Sequence, residues 1–308
     1  MAAKALPKVS LVGAGRVGSA LARGLAAEGY RIVSIISRSG KSGLALARSV
    51  KCKKVSTVPA DIDPSTEIIL IAVPDAALDR VAADIARVKG LPFGKLIVMH
   101  TSGALSSEHL KPLAAKGAST ASFHPMQTFP ARNRSVKLQG IAFGVEGTER
   151  ALARAELMAR ALGASTVTID PALKPLYHIA CVFSSGYLVI LLKTIQELAV
   201  ALKIPRPWTG VFGPLMTSAM QNTIRTSPAD ALTGPAARGD IATVELHLRA
   251  LQERAPHLLP LYTVAGIESA RTAFERGTFG RETFEEFVTV FKSFISSLPT
   301  QHQRKGRS

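Results

Sequence analysis

Cysteine is scarce: Cys52 and Cys181 are the only two in 308 residues. Two thiols build neither a disulfide framework nor a cysteine zinc cluster, and a reducing cytoplasm is the expected compartment. Aromatic residues make up 6% of the chain, with a single Trp, and neither zinc-finger spacing nor an RNP-like aromatic motif occurs. That weighs against a nucleic-acid-binding module. The opening MAAKALPKVSLVGAG has no long apolar region ending in a cleavage site, so no signal peptide is expected. Acidic residues are in deficit: 38 Lys and Arg face 22 Asp and Glu, for a net charge of +16. A basic excess favours anionic ligands such as nucleotides. It is spread along the chain: 23 basic against 12 acidic residues up to Asp170, and 15 against 10 beyond it. The one compact basic cluster near an end, QHQRKGRS, reads as a solvated tail.

Long apolar runs are few. Pro175 to Leu192 carries no formal charge over 18 residues, at the lower edge of a membrane span. It contains His178, Ser184, Ser185 and Gly186, and Lys174 and Lys193 bracket it. A long core helix between domains is the expectation, and no membrane contact.

What is present is alternation. Apolar strands are expected at Val9–Val12, Arg31–Ile36, Glu67–Val73, Lys95–Met99, Ser119–Phe123, Gly140–Val145 and Ser165–Ile169. The unbroken IILIAV suits a strand buried on both faces. Helical spacing lies between several of them, at Arg16–Glu28, Ala76–Val88, Ser106–Ala115 and Thr148–Leu162. Strand–helix alternation implies a parallel, doubly wound sheet. After Asp170-Pro171 the strands stop. Helices are expected at Ala172–Leu202, Pro207–Arg225, Ile241–Arg254, Leu258–Arg276 and Glu282–Ser296. The fold class is therefore α/β: a Rossmann sheet over 1–170, then an all-helical domain over 171–308.

Gly13-Ala14-Gly15-Arg16-Val17-Gly18 completes a G-x-G-x-x-G between a strand and a helix. That context makes it a dinucleotide fingerprint. Gly13 permits the tight turn, Gly15 lets the pyrophosphate approach, and Gly18 lets the helix pack on the sheet. The first-turn N–H groups at Arg16 and Val17 face the phosphate. An NAD site would place Asp or Glu after the second strand. Here stand Ser37-Arg38-Ser39, with no acid, which suits the 2′-phosphate of NADP(H). Ala72-Val73-Pro74 ends the IILIAV strand and is the expected wall for the nicotinamide ribose; Asp75 is expected to cap the next helix.

Polar clusters mark the candidate active site. His100-Thr101-Ser102-Gly103 and Ser122-Phe123-His124-Pro125-Met126-Gln127 follow two strands, at the edge where such a sheet opens its crevice. Either histidine could equally be structural. Lys174, His178, Cys181 and Ser185 are spaced to share one helix face, which suggests a polar cleft. Cys181 reads as packing. Leu232-Thr233-Gly234-Pro235-Ala236-Ala237-Arg238-Gly239-Asp240 makes a tight loop. There Asp240 is an expected N-cap, and Arg238 a candidate for an anionic substrate or a neighbouring subunit. No metal site is expected.

The stretches HTSGALSSEHL from His100, ASFHPMQTFP from Ala121, LYHIACVFSSGYL from Leu176 and LTGPAARGD from Leu232 carry a resemblance over nearly the whole chain. It resembles bacterial proteins that pair a Rossmann-like domain with the helical domain DUF2520. Those are distant relatives of pyrroline-5-carboxylate reductase, prephenate dehydrogenase and the 6-phosphogluconate/β-hydroxyacid dehydrogenases. The β-hydroxyacid enzymes are similar in placing a catalytic Lys on the helix after the Rossmann domain, four residues before an Asn. Lys174 matches the Lys, while His178 stands at the Asn. Around Ser185-Gly186-Tyr187 relatives often carry Asn where Gly186 stands. His124-Pro125-Met126 looks like the His-Pro-Met of prephenate dehydrogenases. The helical second domain implies a homodimer.

The resulting expectation is an NADP(H)-dependent oxidoreductase moving hydride to or from a small C=O or C=N substrate. Lys174 and His178 would be the acid pair, and His124 and Ser102 would position substrate, with His100, Gln127, Ser185 and Arg238 nearby. The alternative is a non-catalytic NADP(H)-binding sensor or assembly protein on the same fold.

Overall fold

The computed structural model describes residues 6–130, 136–205 and 207–296. The chain divides into two compact units, residues 1–188 and 189–308.

Unit 1 is built on an eight-stranded sheet in the order β3-β2-β1-β4-β5-β6-β7-β8. The strands are β1 (Lys8–Val12), β2 (Arg31–Ile36), β3 (Val55–Ser56), β4 (Ile68–Ile71), β5 (Ile97–His100), β6 (Ser119–Pro125), β7 (Ala142–Gly147) and β8 (Ser165–Thr168). The helices are α1 (Arg16–Ala27), α2 (Gly40–Val50), α3 (Leu78–Ala86), the one-turn α4 (Lys111–Ala114), α5 (Glu149–Ala161) and α6 (Lys174–Val182). Strand periodicity divides the core in two. Ile68 and Leu70 pack with Leu21, Leu25 and Met158 on one face, while Ile69 and Ile71 pack with Leu78, Ile85 and Leu113 on the other. That is why β4 reads as continuous apolar sequence.

Several features depart from the sequence reading. α2 and β3 were not foreseen; Ser39, expected at the 2′-phosphate, opens α2 by accepting a bond from the Ser42 N–H at 3.4 Å. β7 runs antiparallel to β6, so the sheet is parallel-dominated rather than wholly parallel. No helix pattern separates these two strands, and a parallel return normally requires such a crossover. The helix expected at Ser106–Ala115 is a 3-10 stretch, Ser107–Leu110, followed by α4. Asp75 makes no capping bond; it opens a 3-10 turn, Asp75–Ala77. Finally, the compact unit carrying the sheet extends past Asp170 to Leu188, because α6 is bonded to β6 and the loop after β5.

A short π-helical stretch, Phe183–Tyr187, leads from α6 into α7 (Leu188–Ala201). Unit 2 continues with α8 (Trp208–Arg225), α9 (Pro228–Ala231), α10 (Pro235–Arg238), α11 (Ile241–Arg254), α12 (Leu259–Glu275) and α13 (Arg281–Ser296). Its core joins Val244 and Leu248 of α11, Leu259 and Ala270 of α12, and Phe287 and Phe291 of α13. Asp240 caps α11 as expected, accepting from the Thr243 N–H at 3.0 Å. Among the described residues, one helical stretch, Pro171–Ala201, is long and apolar enough to cross a membrane. Its first turns are bonded to the sheet of unit 1, as described next.

Candidate active site

The strand order reverses between β1 and β4, and ligands of open α/β sheets bind at such switch points. Gly13 follows β1 there with φ of 105°. A Cβ on Gly13 would lie 2.2 Å from the Ala72 carbonyl oxygen, and one on Gly18 would lie 2.1 Å from the Gly13 oxygen. Both glycines are thus demanded by backbone packing against the end of β4. Gly15 differs: a Cβ there would meet nothing within 4 Å. It stands at the N-terminus of α1, whose first turn has no side-chain cap. Open space in front of uncapped N–H groups is what a pyrophosphate requires. Val17 is half-buried behind this turn, and Arg16 is exposed, donating to the Phe129 carbonyl at 2.9 Å. Val73 is half-buried and Pro74 exposed beside the glycine turn. At the end of β2, Ser37 is buried and tied to β3, with its N–H donating to the Ser56 carbonyl. Arg38 is exposed, and its guanidinium has no protein partner among the described residues. These residues leave room for a dinucleotide at the glycine turn, with Arg38 at the end of β2.

The polar loop after β5 is fixed by its own side chains. His100 is buried; its Nδ1 accepts from the Ser102 N–H at 3.2 Å, leaving Nε2–H to donate to the Ser106 carbonyl at 3.1 Å. Burial, and secondarily the Lys174 charge, push its pKa down to about 3. His100 is therefore a neutral pin for residues 100–106. Ser102 pins the same loop, its Oγ accepting from the Leu105 N–H.

Lys174 is where the structure departs most from the sequence reading. It has no exposed surface. Its Nζ donates to Ser122 Oγ at 2.6 Å and reaches the Ser102 carbonyl at 3.5 Å. Glu146 Oε1 lies 3.9 Å away. Glu146 is buried too, accepting from the Ser107 N–H and Oγ. Burial lowers the Lys174 pKa, and the Glu146 charge opposes that shift. A buried ammonium holds such a place only with partners, and these come from β6, β7 and the loop after β5. Lys174 stands behind the site and ties its three supports together; it does not face a cleft.

In front of it, three rings gather. His124 Nδ1 and Tyr177 Oη are 2.7 Å apart, and the His124 and His178 rings meet edge to face at 5.8 Å. A Cβ on Gly103 would lie 2.5 Å from His178 Nδ1 and 2.8 Å from His124 Nε2. Both rings thus close on Gly103, where only the lack of a side chain leaves them room. His178 Nδ1 is buried without a hydrogen-bond partner. Burial, then the charges of His178 and Lys174, lower the His124 pKa to about 4. The sequence reading paired His178 with Lys174; the structure pairs it with His124.

Two of the other expected site residues are spent on their own segments. Gln127 is exposed and folds back on Thr128 and Lys137. Ser185 Oγ is spent on the Cys181 carbonyl of its own helix. Arg238 lies in unit 2, exposed at the end of α10. Sequence reasoning placed Gly103 and Ser122 in its polar clusters without a role, and missed Gly144, Glu146 and Tyr177. Only Glu146 left a signal: an acid in the otherwise apolar AFGVEG strand.

Comparison with known proteins agrees with this architecture. A Rossmann-like domain model matches residues 2–125 and the DUF2520 model, a domain of unknown function, matches 141–268. No curated protein matches the chain. Among solved structures, the chain is similar to a putative NADP oxidoreductase from Bacteroides fragilis at 25% identity. That likeness covers 86% of this chain and 98% of the other, with a TM-score of 0.73. An imine reductase from Myxococcus stipitatus in complex with NADP+ shares 19% identity over 94% of this chain and 95% of its own, with a TM-score of 0.59. A pyrroline-5-carboxylate reductase from Coxiella burnetii shares 15% over 87% and 98%, with a TM-score of 0.56. The chain is thus a Rossmann-like domain joined to a DUF2520 domain.

Proposed function

We propose that this protein is an NADP(H)-dependent oxidoreductase acting on a small carbonyl, hydroxy or imino compound. One observation carries the reading. The open backbone at Gly15 follows β1, and His124, packed edge to face with His178 of α6, stands at the end of the parallel strand β6, so both lie at the same edge of one sheet. The likeness to a structure described as an NADP oxidoreductase supports it.

Gly15 and the first turn of α1 would hold the pyrophosphate, Ala72 to Pro74 the ribose wall, and Arg38 the 2′-phosphate. Bound nicotinamide supplies or accepts the hydride. The chain's own residues handle the proton and the developing charge. His124 meets the substrate heteroatom, and His178 stands beside it to pass a proton to that atom. Lys174, Ser122 and Ser102 hold His124 and Gly103 in place.

The test is calorimetric titration with NADPH and NADH, followed by NADPH consumption across a set of 2-oxo acids, ketones and cyclic imines. Tighter NADPH binding with turnover of one class is expected. NADPH binding without turnover favours the sensor reading, and no binding removes both.

The functional unit we propose is a homodimer. Support comes from the apolar surface of α7 and α8. Val189, Val200, Leu202, Leu215 and Ile224 are each more than half exposed, and α8 buries none of its residues.

A further inference from the structure

Tyr177 was no part of the sequence reading, and its hydroxyl sits at the centre of the ring cluster. It lies 2.7 Å from His124 Nδ1. Gly144 of β7 and Cys181, one turn along α6, are its other neighbours. The contact with β7 is close: a Cβ on Gly144 would lie 2.2 Å from Tyr177 Oη. Only glycine at 144 lets the phenol reach this place.

A phenol has one proton to give. That proton goes to the best acceptor in reach. An imidazole nitrogen is a stronger acceptor than the Cys181 sulfur. Tyr177 therefore donates to His124 Nδ1, and His124 carries its own proton on Nε2. That Nε2–H has no protein partner among the described residues and is left for a ligand.

We infer that Tyr177 is a positioning residue that fixes His124 as an Nε2–H donor, and that this donor takes a neutral carbonyl oxygen rather than a cationic iminium nitrogen. The inference rests on the reductase reading and narrows its substrate class. A carbonyl oxygen has lone pairs for a fixed donor and gains negative charge as hydride arrives, so the donor binds it more strongly in the transition state. An iminium nitrogen is cationic and has no lone pair to offer.

The surroundings agree. The titratable groups around His124 are His178, His100, Tyr177 and the Lys174 ammonium, with Glu146, Asp75 and Cys181 beyond them. Burial first, then His178 and Lys174, hold His124 neutral, and burial pushes the Tyr177 phenol up, so it stays protonated. The same desolvation opposes a cationic substrate.

The first test is spectroscopic and needs no substrate. Long-range proton–nitrogen correlation on 15N-labelled protein at pH 7, with His124→Asn for assignment, is expected to show the Nε2–H tautomer of His124. Tyr177→Phe should mix the tautomers, and Cys181→Ala should leave them unchanged. An Nδ1–H tautomer in the wild type, or no change in Tyr177→Phe, would overturn the inference. The second test compares NADPH consumption with cyclohexanone and with its preformed N,N-dialkyl iminium. A higher rate for the ketone, falling at least tenfold in Tyr177→Phe, is expected. A ketone rate equal to or below that of the iminium, zero included, overturns the substrate class. Failure to bind NADPH would instead sink the reductase reading while leaving the tautomer result standing.

Discussion

A buried lysine changes what a substitution at that position should do. If Lys174 faced substrate, Lys174→Met would cost rate and leave the fold intact. The observed burial predicts the reverse emphasis. Removing the ammonium leaves the Glu146 carboxylate buried with only Ser107 for company, and frees Ser122 and the Ser102 carbonyl. Breaking a buried pair from one side typically costs about 3–5 kcal/mol. The loss here should fall near the lower end, since Ser107 still donates twice to Glu146. Urea unfolding would show it as a lower midpoint with little change in slope. A midpoint equal to wild type would place Lys174 back among the solvent-facing groups. The two depressed histidines add a pH dependence at the same scale. His100 and His124 have folded pKa values of about 3 and about 4, below the 6.5 of an unperturbed histidine. Between those values and 6.5 the unfolded chain binds more protons than the folded one. Their stabilisation is complete above pH 6.5 and is lost as pH falls toward 4. Each should contribute a slope of about 1.4 kcal/mol per pH unit across its window. Unfolding midpoints measured from pH 7.5 to 4.5 should fall, and less steeply in His124→Asn. A flat profile would mean that the rings charge freely in the folded protein.

The three glycines of the fingerprint separate at the scale of the strand–turn–helix element. Gly13 and Gly18 are closed by backbone atoms, so any side chain there distorts the turn with or without a ligand. Gly15 has φ of −75°, ordinary for any residue, and empty space where a Cβ would go. Gly15→Val should therefore leave the melting temperature within a degree or two and weaken NADPH binding by about 100-fold or more, because the added methyls occupy the pyrophosphate's approach. Unaltered affinity in calorimetry would show that the nucleotide does not cross this turn. The element was legible because three signals coincide: an apolar strand, spaced glycines and helical periodicity. α2 was not, since GKSGLALARSV mixes two glycines and two serines into its pattern. Helix α6 was legible as a helix, and the spacing of Lys174 and His178 gave a shared side. What the spacing could not give was the partner of that side. Ser122 and Glu146 come from strands 52 and 28 residues earlier, and only the fold brings their oxygens to Lys174. His124 and Tyr177 likewise meet across 53 residues. Pairing across such distances is set by sheet register: His124 lies opposite Gly144, the residue that admits the Tyr177 hydroxyl.

At the scale of the whole molecule, the apolar surface of α7 and α8 asks for a cover. In α7 only Ala199 is buried, while Val189, Ile190, Leu191, Leu198 and Val200 are exposed. In α8 the exposed residues include Val211, Leu215, Met220 and Ile224, and Pro214 interrupts the helix between them. An ordinary monomer surface carries apolar side chains singly; a succession along two consecutive helices marks an interaction surface. A second copy of the chain is the occupant proposed here, because a two-fold arrangement presents each apolar face with an equal one. A bilayer is the rival, since Pro171–Ala201 has the length and hydropathy of a span. The rival conflicts with α6, which opens that stretch with Lys174 and Tyr177 bonded to β6. Light scattering on the purified protein without detergent should give about twice the chain mass of 32.6 kDa. Leu215→Glu with Ile224→Glu should shift the mass to that of one chain while leaving the cofactor domain able to bind NADPH. A monodisperse wild-type monomer would remove the dimer. Recovery of the wild type only in detergent or with membranes would give the surface to lipid instead.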